Sequence, residues 1–146
     1  MASRRPLRRS ARLTAALLTL LPVSGLPQVA DVDVRVVDAN PATGTLEISL
    51  FNSAETFLKE PFLQNSGPVN ENGGYSALFA KVPTGEYAVV VVHDANDNGK
   101  MDNGFLGLGG ESYAFSNDAR SLFGRPPFDR AKFTVQSDTR IEISLE

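Results

Sequence analysis

The chain has no cysteine and a single histidine, His93, among its 146 residues. Without cysteine, no disulfide can hold the fold and no thiol can act as a nucleophile. One histidine without cysteine also argues against a transition-metal site, which needs several nitrogen or sulfur ligands. The fold must therefore be stabilised by burial of apolar side chains, which is feasible at this size.

The sequence also has no apolar run long enough to cross a membrane. The apolar residues 15–23 fall far short of the roughly 20 that a helical span requires. They follow residues 1–14, which contain five arginines and no acidic side chain, and they precede the small residues Ser24 and Gly25. This order is typical of a secretory signal peptide, and a disordered basic tail is the alternative.

The domain boundaries follow from this leader. We expect residues 1–30 to be a signal peptide, cleaved near residue 25 or 30, and residues 31–146 to form one domain in the periplasm or outside the cell. That domain is poor in basic side chains, with 9 basic and 17 acidic residues and a net charge of about −8. Such a surface repels nucleic acid and anionic lipid, and it suits cation binding or plain solvation.

Apolar and polar residues alternate in much of the domain, as they do in strands with one buried face. The pattern predicts six strands, over residues 31–38, 45–51, 74–82, 86–93, 131–135 and 140–146. The fourth is almost wholly apolar, as expected for a central strand covered on both faces. These short strands predict an all-β fold, an antiparallel β-sandwich or barrel. One short helix is predicted over residues 52–61.

The turn between the third and fourth predicted strands reads VPTGEY, in which Pro83 and Gly85 favour a tight turn. It predicts a hairpin flanked by Tyr75 and Tyr87. This hairpin resembles those of the prealbumin-like (transthyretin-like) modules of bacterial surface and periplasmic proteins. The resemblance implies a transthyretin-like β-sandwich, and an immunoglobulin-like layout is the alternative.

Residues 94–130 carry no convincing strand or helix pattern. Connections this long are uncommon in compact domains, and disordered segments are poor in apolar residues, whereas this one holds several aromatic side chains. We therefore predict one long ordered loop that packs over one end of the sandwich.

This loop begins with an Asp/Asn-rich stretch that fits the D-x-[DN]-x-[DN]-G pattern of calcium loops, in which alternate oxygen side chains converge on a hard cation. The candidate ligands are Asp94, Asn96, Asn98, the backbone carbonyl of Lys100, and Asp102, with Gly99 at the sharp turn. Position 12 is Phe105 instead of glutamate, so the last ligand would come from Glu111 or Asp118. The alternative is an Asx-rich turn whose side chains bond their own backbone.

A second candidate site combines His93 with residues from the middle of the long loop. His93 is either a structural hydrogen-bonding residue at the strand end or a catalytic base beside Asp94 or Asp118. Aromatic rings beside amide and carboxylate groups can bind a sugar, a small molecule or a peptide, or they can close the end of the core. The candidate ligand-binding residues are His93, Tyr113, Phe115, Asn117, Asp118 and Arg120.

Four stretches resemble the bacterial "domain of unknown function 2141" family: FNSAETFL, VPTGEYAVVVVHDANDNGKMD, FLGLGGESYAFSNDAR and FGRPPFDRAKFTV. They contain H-D-x-N-x-N-G-x-x-D, F-x-G, Y-x-F-S-N and F-G-x-P-x-F in the family's order, over about residues 32–145. The motif positions here are His93, Asp94, Asn96, Asn98, Gly99, Asp102, Phe105, Gly107, Tyr113, Phe115, Ser116, Asn117, Phe123, Gly124, Pro126 and Phe128. The resemblance implies an exported single-domain protein with no assigned activity.

These observations predict an exported binding or accessory module, with calcium as the candidate cofactor of its loop. The candidate partners are a small molecule, a glycan or an envelope protein. The alternative is a periplasmic enzyme that acts on a small substrate through His93 and a nearby aspartate. The sequence shows no clear nucleophile–base pair for such an enzyme, so a non-enzymatic role is favoured.

Overall fold

The computed structural model describes residue 25 and residues 28–99, 111–122 and 124–145, which form a nearly all-β structure. Its strands are β1 (Val29–Val37), β2 (Thr45–Phe51), β3 (Leu63–Pro68), β4 (Tyr75–Pro83), β5 (Gly85–Asp94), β6 (Ser112–Phe115), β7 (Phe133–Val135) and β8 (Thr139–Ser144). A 3₁₀ turn spans Ser116–Asp118, and the helix α1 spans Phe128–Ala131. Within these described ranges, no helix is long and apolar enough to cross a membrane.

The strands form two sheets. The first has the order β4-β1-β8, and the second has the order β3-β2-β5-β6, with β7 pairing the start of β5. All pairs are antiparallel except β1 and β8, which run parallel with Val34 opposite Ile141. The prediction of a wholly antiparallel sandwich is therefore wrong at this edge. The chain leaves β7 at the end of the molecule where β1 starts, so β8 enters the first sheet in the same direction as β1.

The main core lies between the two sheets and follows the predicted alternation. Every second residue of β1 is buried there, as are the alternate residues of β2 and β5 that face it. The side chains that fill this layer include Val32, Val34, Val36, Leu46, Ile48, Leu50, Phe79, Val89, Val91 and Ile143. The period-two pattern correctly predicts this shared inner face.

A second core covers the opposite, outer face of the second sheet. It uses the other residues of β5, so that Ala88 and Val90 are buried although they point away from the first sheet. The residues of this second core are Phe51, Phe57, Ala88, Val90, Phe115, Ala119, Phe128 and Ala131. The prediction that the valine-rich strand is covered on both faces is therefore confirmed.

The predicted helix over residues 52–61 is wrong. Ser53 does accept the amide of Thr56 at 3.3 Å, as a helix cap would, but residues 54–59 form only turns. Leu58 has a left-handed φ of 63°, which an α-helix does not allow. The turn places Phe57 in the second core, where its ring centroid lies 5.6 Å from that of Phe128. Burial of this ring thus overrides the local helical preference.

The predicted hairpin at Pro83–Gly85 is also wrong. β4 pairs with β1 in the first sheet, whereas β5 pairs with β2 in the second, so the turn carries the chain from one sheet to the other. The Tyr87 hydroxyl donates to the Pro83 carbonyl at 2.7 Å and closes this crossing. Turn residues mark where the chain reverses, but they do not decide which strands then pair.

The described part of the long loop contains β6, the 3₁₀ turn and α1, which the sequence pattern did not predict. Phe115, Ala119 and Phe128 pack on the outer face of the second sheet instead of closing the end of the sandwich. The prediction that this segment packs over one end of the sandwich is therefore wrong for its described part, which packs on the outer face of the second sheet. Residues 100–110, which complete the loop, lie outside the described residues.

Candidate functional site

The candidate site begins at the end of β5, where His93 and Asp94 follow the valines. His93 faces the main core and is 1% exposed. Its Nε2 lies 2.8 Å from the carbonyl oxygen of Thr43, and because a carbonyl only accepts, Nε2 carries the hydrogen. The imidazole thus ties β5 to the turn before β2, as the structural interpretation of His93 expects.

Asp94 is only 6% exposed and organises the turn that follows it. Its Oδ1 accepts the amide of Asn98 at 3.2 Å, and its Oδ2 accepts the amide of Gly99 at 2.9 Å. The Gly99 amide, more than any other contact, holds the pKa of the Asp94 carboxyl below its usual range, and burial opposes this effect. Asp94 is therefore a carboxylate at neutral pH.

The rest of the described turn has the bonds of an Asx-rich turn. The Asn96 Oδ1 accepts the Asn98 amide at 3.0 Å, and Asp97 has a left-handed φ of 54°. The bonds that the turn interpretation requires are therefore present. Lys100 and Asp102, the two remaining predicted ligands, lie outside the described residues.

Glu111 returns to this site from the far end of the loop. Its side chain lowers the pKa of the Asp94 carboxyl through a hydrogen bond, the smallest of the influences on that group, which puts the two carboxyl groups within hydrogen-bonding reach. Two carboxylates in contact repel each other unless a proton or a cation lies between them. Of the two acids that the sequence suggested as a last ligand, Glu111 lies near Asp94, whereas Asp118 lines a depression beside β6. In the described part of the chain, no group of three or more His, Asp or Glu side chains is positioned to hold a metal.

Sequence reasoning missed the turn before β2, which meets the end of β5 at this site. Gly44 has φ +82°, and a β-carbon there would lie 2.1 Å from the carbonyl oxygen of Asp94. Only glycine allows the two backbones to approach this closely. The available signal was the Thr43–Gly44 pair before a strand, but nothing local indicated that this turn would meet β5.

The aromatic candidates lie together in a different place. Four of the six predicted ligand-binding residues line a shallow depression of about 280 Å³ beside β6 and the end of β8: Tyr113, Phe115, Asp118 and Arg120. The rings of Tyr113 and Phe115 meet edge to face, 5.7 Å apart. His93 and Asn117 do not line this depression.

Ser116 and Asn117 hold the covering segment against β5. The buried Ser116 Oγ donates to the Ala131 carbonyl at 2.6 Å and accepts the Val89 amide at 2.9 Å. Val89 lies between the part of β5 that pairs with β6 and the part that pairs with β7, so this hydroxyl fills the gap between them. Asn117 donates to the Lys132 carbonyl at 2.6 Å. The Y-x-F-S-N motif thus has a structural role in this fold.

The molecule is therefore a two-sheet, β-sandwich-like protein with an acidic turn at one end of its central strand. Its sequence matches the profile of a bacterial family over residues 34–143. The chain belongs to this family, which is described as "Uncharacterized protein conserved in bacteria (DUF2141)". Neither a curated protein nor a solved structure matches the chain.

Proposed function

We propose that the protein is an exported binding or accessory module whose loop between β5 and β6 is ordered by calcium. The buried carboxylate of Asp94 in the Asp/Asn-rich turn, with Glu111 within hydrogen-bonding reach, carries this proposal. A divalent cation would take the place of the proton that a hydrogen bond between two carboxyl groups requires, and it would attract both groups. The binding energy would then close the loop at its two ends, because Asp94 precedes it and Glu111 follows it.

The number and type of ligands also favour calcium. Calcium takes six to eight oxygen ligands in flexible geometry, and the carboxylates of Asp94 and Glu111 can supply up to four. The amide oxygens of Asn96 and Asn98 lie in the same turn, and the sequence adds Asp102 and the Lys100 carbonyl. Magnesium should bind less well, because it demands tight octahedral geometry and releases its water reluctantly.

The non-enzymatic role is favoured over catalysis by the position of His93. A general base must reach the proton that it abstracts, whereas this imidazole is enclosed in the core and its Nε2 is committed to Thr43. If His93→Gln keeps its fold and lowers a measured activity more than about a hundredfold, the enzyme hypothesis replaces this one.

Thermal unfolding with calcium and with chelator tests the calcium-ordered loop. For a dissociation constant of about 0.1 mM, typical of weak extracellular sites, 1 mM calcium would add about 1.4 kcal/mol to the free energy of unfolding. The melting temperature should then rise by a few degrees.

A matched pair of variants separates ligation from net charge. Asp94→Asn should abolish the calcium-dependent rise, whereas Asp97→Asn, which removes the same charge and tolerates the left-handed backbone, should keep it. Identical melting curves of the unaltered protein in calcium and chelator would mean that the turn binds no calcium.

Export is the second part of the proposal and is supported by the basic, short-apolar start of the chain. Cell fractionation followed by N-terminal sequencing should find the protein outside the cytoplasm, beginning near residue 26 or 31. An intact Met1 in the cytoplasmic fraction would contradict this.

For the sandwich itself we propose an immunoglobulin-like layout. A transthyretin-like layout is the alternative. The hydroxyl of Tyr87 bonds the carbonyl four residues upstream at a crossing between sheets, as in the tyrosine corner of immunoglobulin-like domains. Nuclear Overhauser contacts should connect β1 with β8 in parallel and should be absent between β4 and β5. A β4–β5 ladder would refute this layout.

A further inference from the structure

The segment from Tyr113 to Lys132 differs in charge from the rest of the domain. It holds four basic and two acidic residues, whereas residues 31–112 and 133–146 hold five basic and 15 acidic residues. Its one lysine, Lys132, is paired with Glu86 at 3.1 Å and with Asp129 at 3.2 Å, and its other acid, Asp118, lines the same depression as Arg120. The excess of basic residues in this segment therefore comes from its three arginines.

The same segment carries the most exposed large apolar residue of the described chain, Leu122, which is 95% exposed. Arg120 and Arg125 flank it within three residues on either side. Tyr113, which is 54% exposed, lines the same depression as Arg120 and Ser121, so the ring lies beside this loop. A single exposed leucine is ordinary, but this one lies between two arginines, in a loop whose Arg120 and Ser121 share a depression with an exposed tyrosine.

We propose that Tyr113, Arg120, Leu122 and Arg125 form a docking patch for an anionic phospholipid surface. Arginine is attracted to lipid phosphates, leucine inserts among acyl chains, and tyrosine favours the interface between them. A soluble anion would use the arginines but would leave the apolar tip in water. A membrane uses all of these groups at once, which is why we commit to it.

The net negative charge of the domain does not prevent this docking. At physiological ionic strength, charges further than about 8 Å from the lipid surface are largely screened. The protein can therefore approach with the patch forward and with most of its carboxylates turned away. The proposal extends the binding-module role by naming a partner, and it requires no calcium.

Tryptophan fluorescence tests the proposal directly, because the chain contains no tryptophan. Leu122→Trp places a probe at the tip of the patch, and Leu78→Trp places one at an exposed apolar position on the outer face of the first sheet. Both full-length proteins are mixed, in chelator, with vesicles of phosphatidylglycerol and phosphatidylcholine or of phosphatidylcholine alone. The two probes report which face meets the lipid even if the arginine-rich start of the chain contributes to binding.

We expect the emission of the Leu122→Trp protein to shift to shorter wavelength, with reduced acrylamide quenching, only on anionic vesicles. The Leu78→Trp protein should show neither change. In the Leu122→Trp protein, Arg125→Ser should weaken partitioning about fivefold, as expected for one basic residue near an anionic surface. Lys59→Ser, which removes the same charge outside the patch, should leave it unchanged.

Three results would overturn the proposal. Equal shifts at both positions would mean that no face is preferred, and an equal shift on neutral vesicles would remove the role of the arginines. Binding of a soluble acidic polysaccharide, with no shift on any vesicle, would replace the membrane with an anionic glycan. Because chelator is present throughout, these outcomes are independent of whether calcium binds Asp94.

Discussion

The outer faces of the two sheets contrast sharply in chemistry. On the first sheet, Arg35 pairs with Glu142 at 3.1 Å and Arg140 pairs with Asp33 at 2.9 Å, so that charged side chains form a solvent-exposed row. On the second sheet, the equivalent face carries Val90 and other apolar residues beneath the segment of Phe115–Ala131. One face meets water directly, whereas the other has become a second core.

This contrast explains why four valines follow one another in β5. β5 is the strand that is buried on both faces, so its alternation disappears. Burial continues through His93 and Asp94 at its end, and each of these polar side chains has a hydrogen-bond partner. Asp94 accepts the amides of Asn98 and Gly99 and so begins the turn that follows the strand.

The largest expected effect comes from placing a charge on each outer face. Val90→Lys puts an ammonium in the second core. It should lower the free energy of unfolding by about 5 kcal/mol or more, which is the whole stability of a marginally stable domain. Leu78→Lys makes the same kind of change on the exposed face and should alter stability by less than about 0.5 kcal/mol. Urea unfolding should find no cooperative transition for the first variant. Equal stabilities would mean that the second core is not formed.

The next largest effect should follow from removing a ring of the second core. Phe128→Ala should lower the free energy of unfolding by about 3–5 kcal/mol, because Phe128 is buried and contacts Phe57 edge to face. Leu122→Ala, in the same covering segment but exposed, is the control and should cost under about 0.5 kcal/mol. Chemical denaturation monitored by circular dichroism measures both. A small loss for Phe128→Ala would indicate that the segment lies loosely on the sheet.

A moderate effect should come from the hydroxyl that fixes the covering segment. Ser116→Ala should cost about 1–3 kcal/mol, because it leaves the buried Val89 amide and Ala131 carbonyl without this partner. Amide hydrogen exchange at Val89 should accelerate more than at Val91. Ser76→Ala, on the exposed face of the first sheet, should change neither quantity. Unchanged exchange at Val89 would show that another group takes over the bond.

The smallest effect should come from the ion pairs of the exposed face. Arg140→Gln should lower stability by no more than about 1 kcal/mol, because both partners meet solvent and the pair is screened. The difference between this variant and the unaltered protein should vanish in roughly 1 M salt. The losses in the second core should persist there. A salt-independent loss for Arg140→Gln would mean that its alkyl chain, and not its charge, contributes.

The sequence predicted the strands whose patterns are regular and missed those that depend on partners. Alternation or a continuous apolar run is visible locally in six strands, and it predicts β1, β2, β4, β5, β7 and β8. The missed strand β3 reads LQNSGP and exists as a strand because β2 offers it an edge to pair with. The missed β6 has only four residues and is held by the end of β5.

The candidate site shows the same division. Asp94, Asn98 and Gly99 lie within six residues, so their turn was predictable from sequence. The meeting of Asp94 with Glu111 depends on the pairing of β6 with β5, which places the far end of the loop beside its start. Likewise, the bond between His93 and Thr43 depends on the register of β2 against β5.

The sequence by itself determined which residues face a core, where the chain turns, and that the turn after the valines is rich in oxygen ligands. These properties depend on neighbours within a few residues, because a strand alternates its side chains with a period of two. The tertiary structure alone decided that β4 and β5 enter different sheets, that β8 runs parallel to β1, and that the segment after β6 covers a face. These choices depend on hydrogen bonds and apolar contacts between residues far apart in the chain. Such contacts cost chain entropy and bury apolar surface, and a local sequence pattern reports neither quantity.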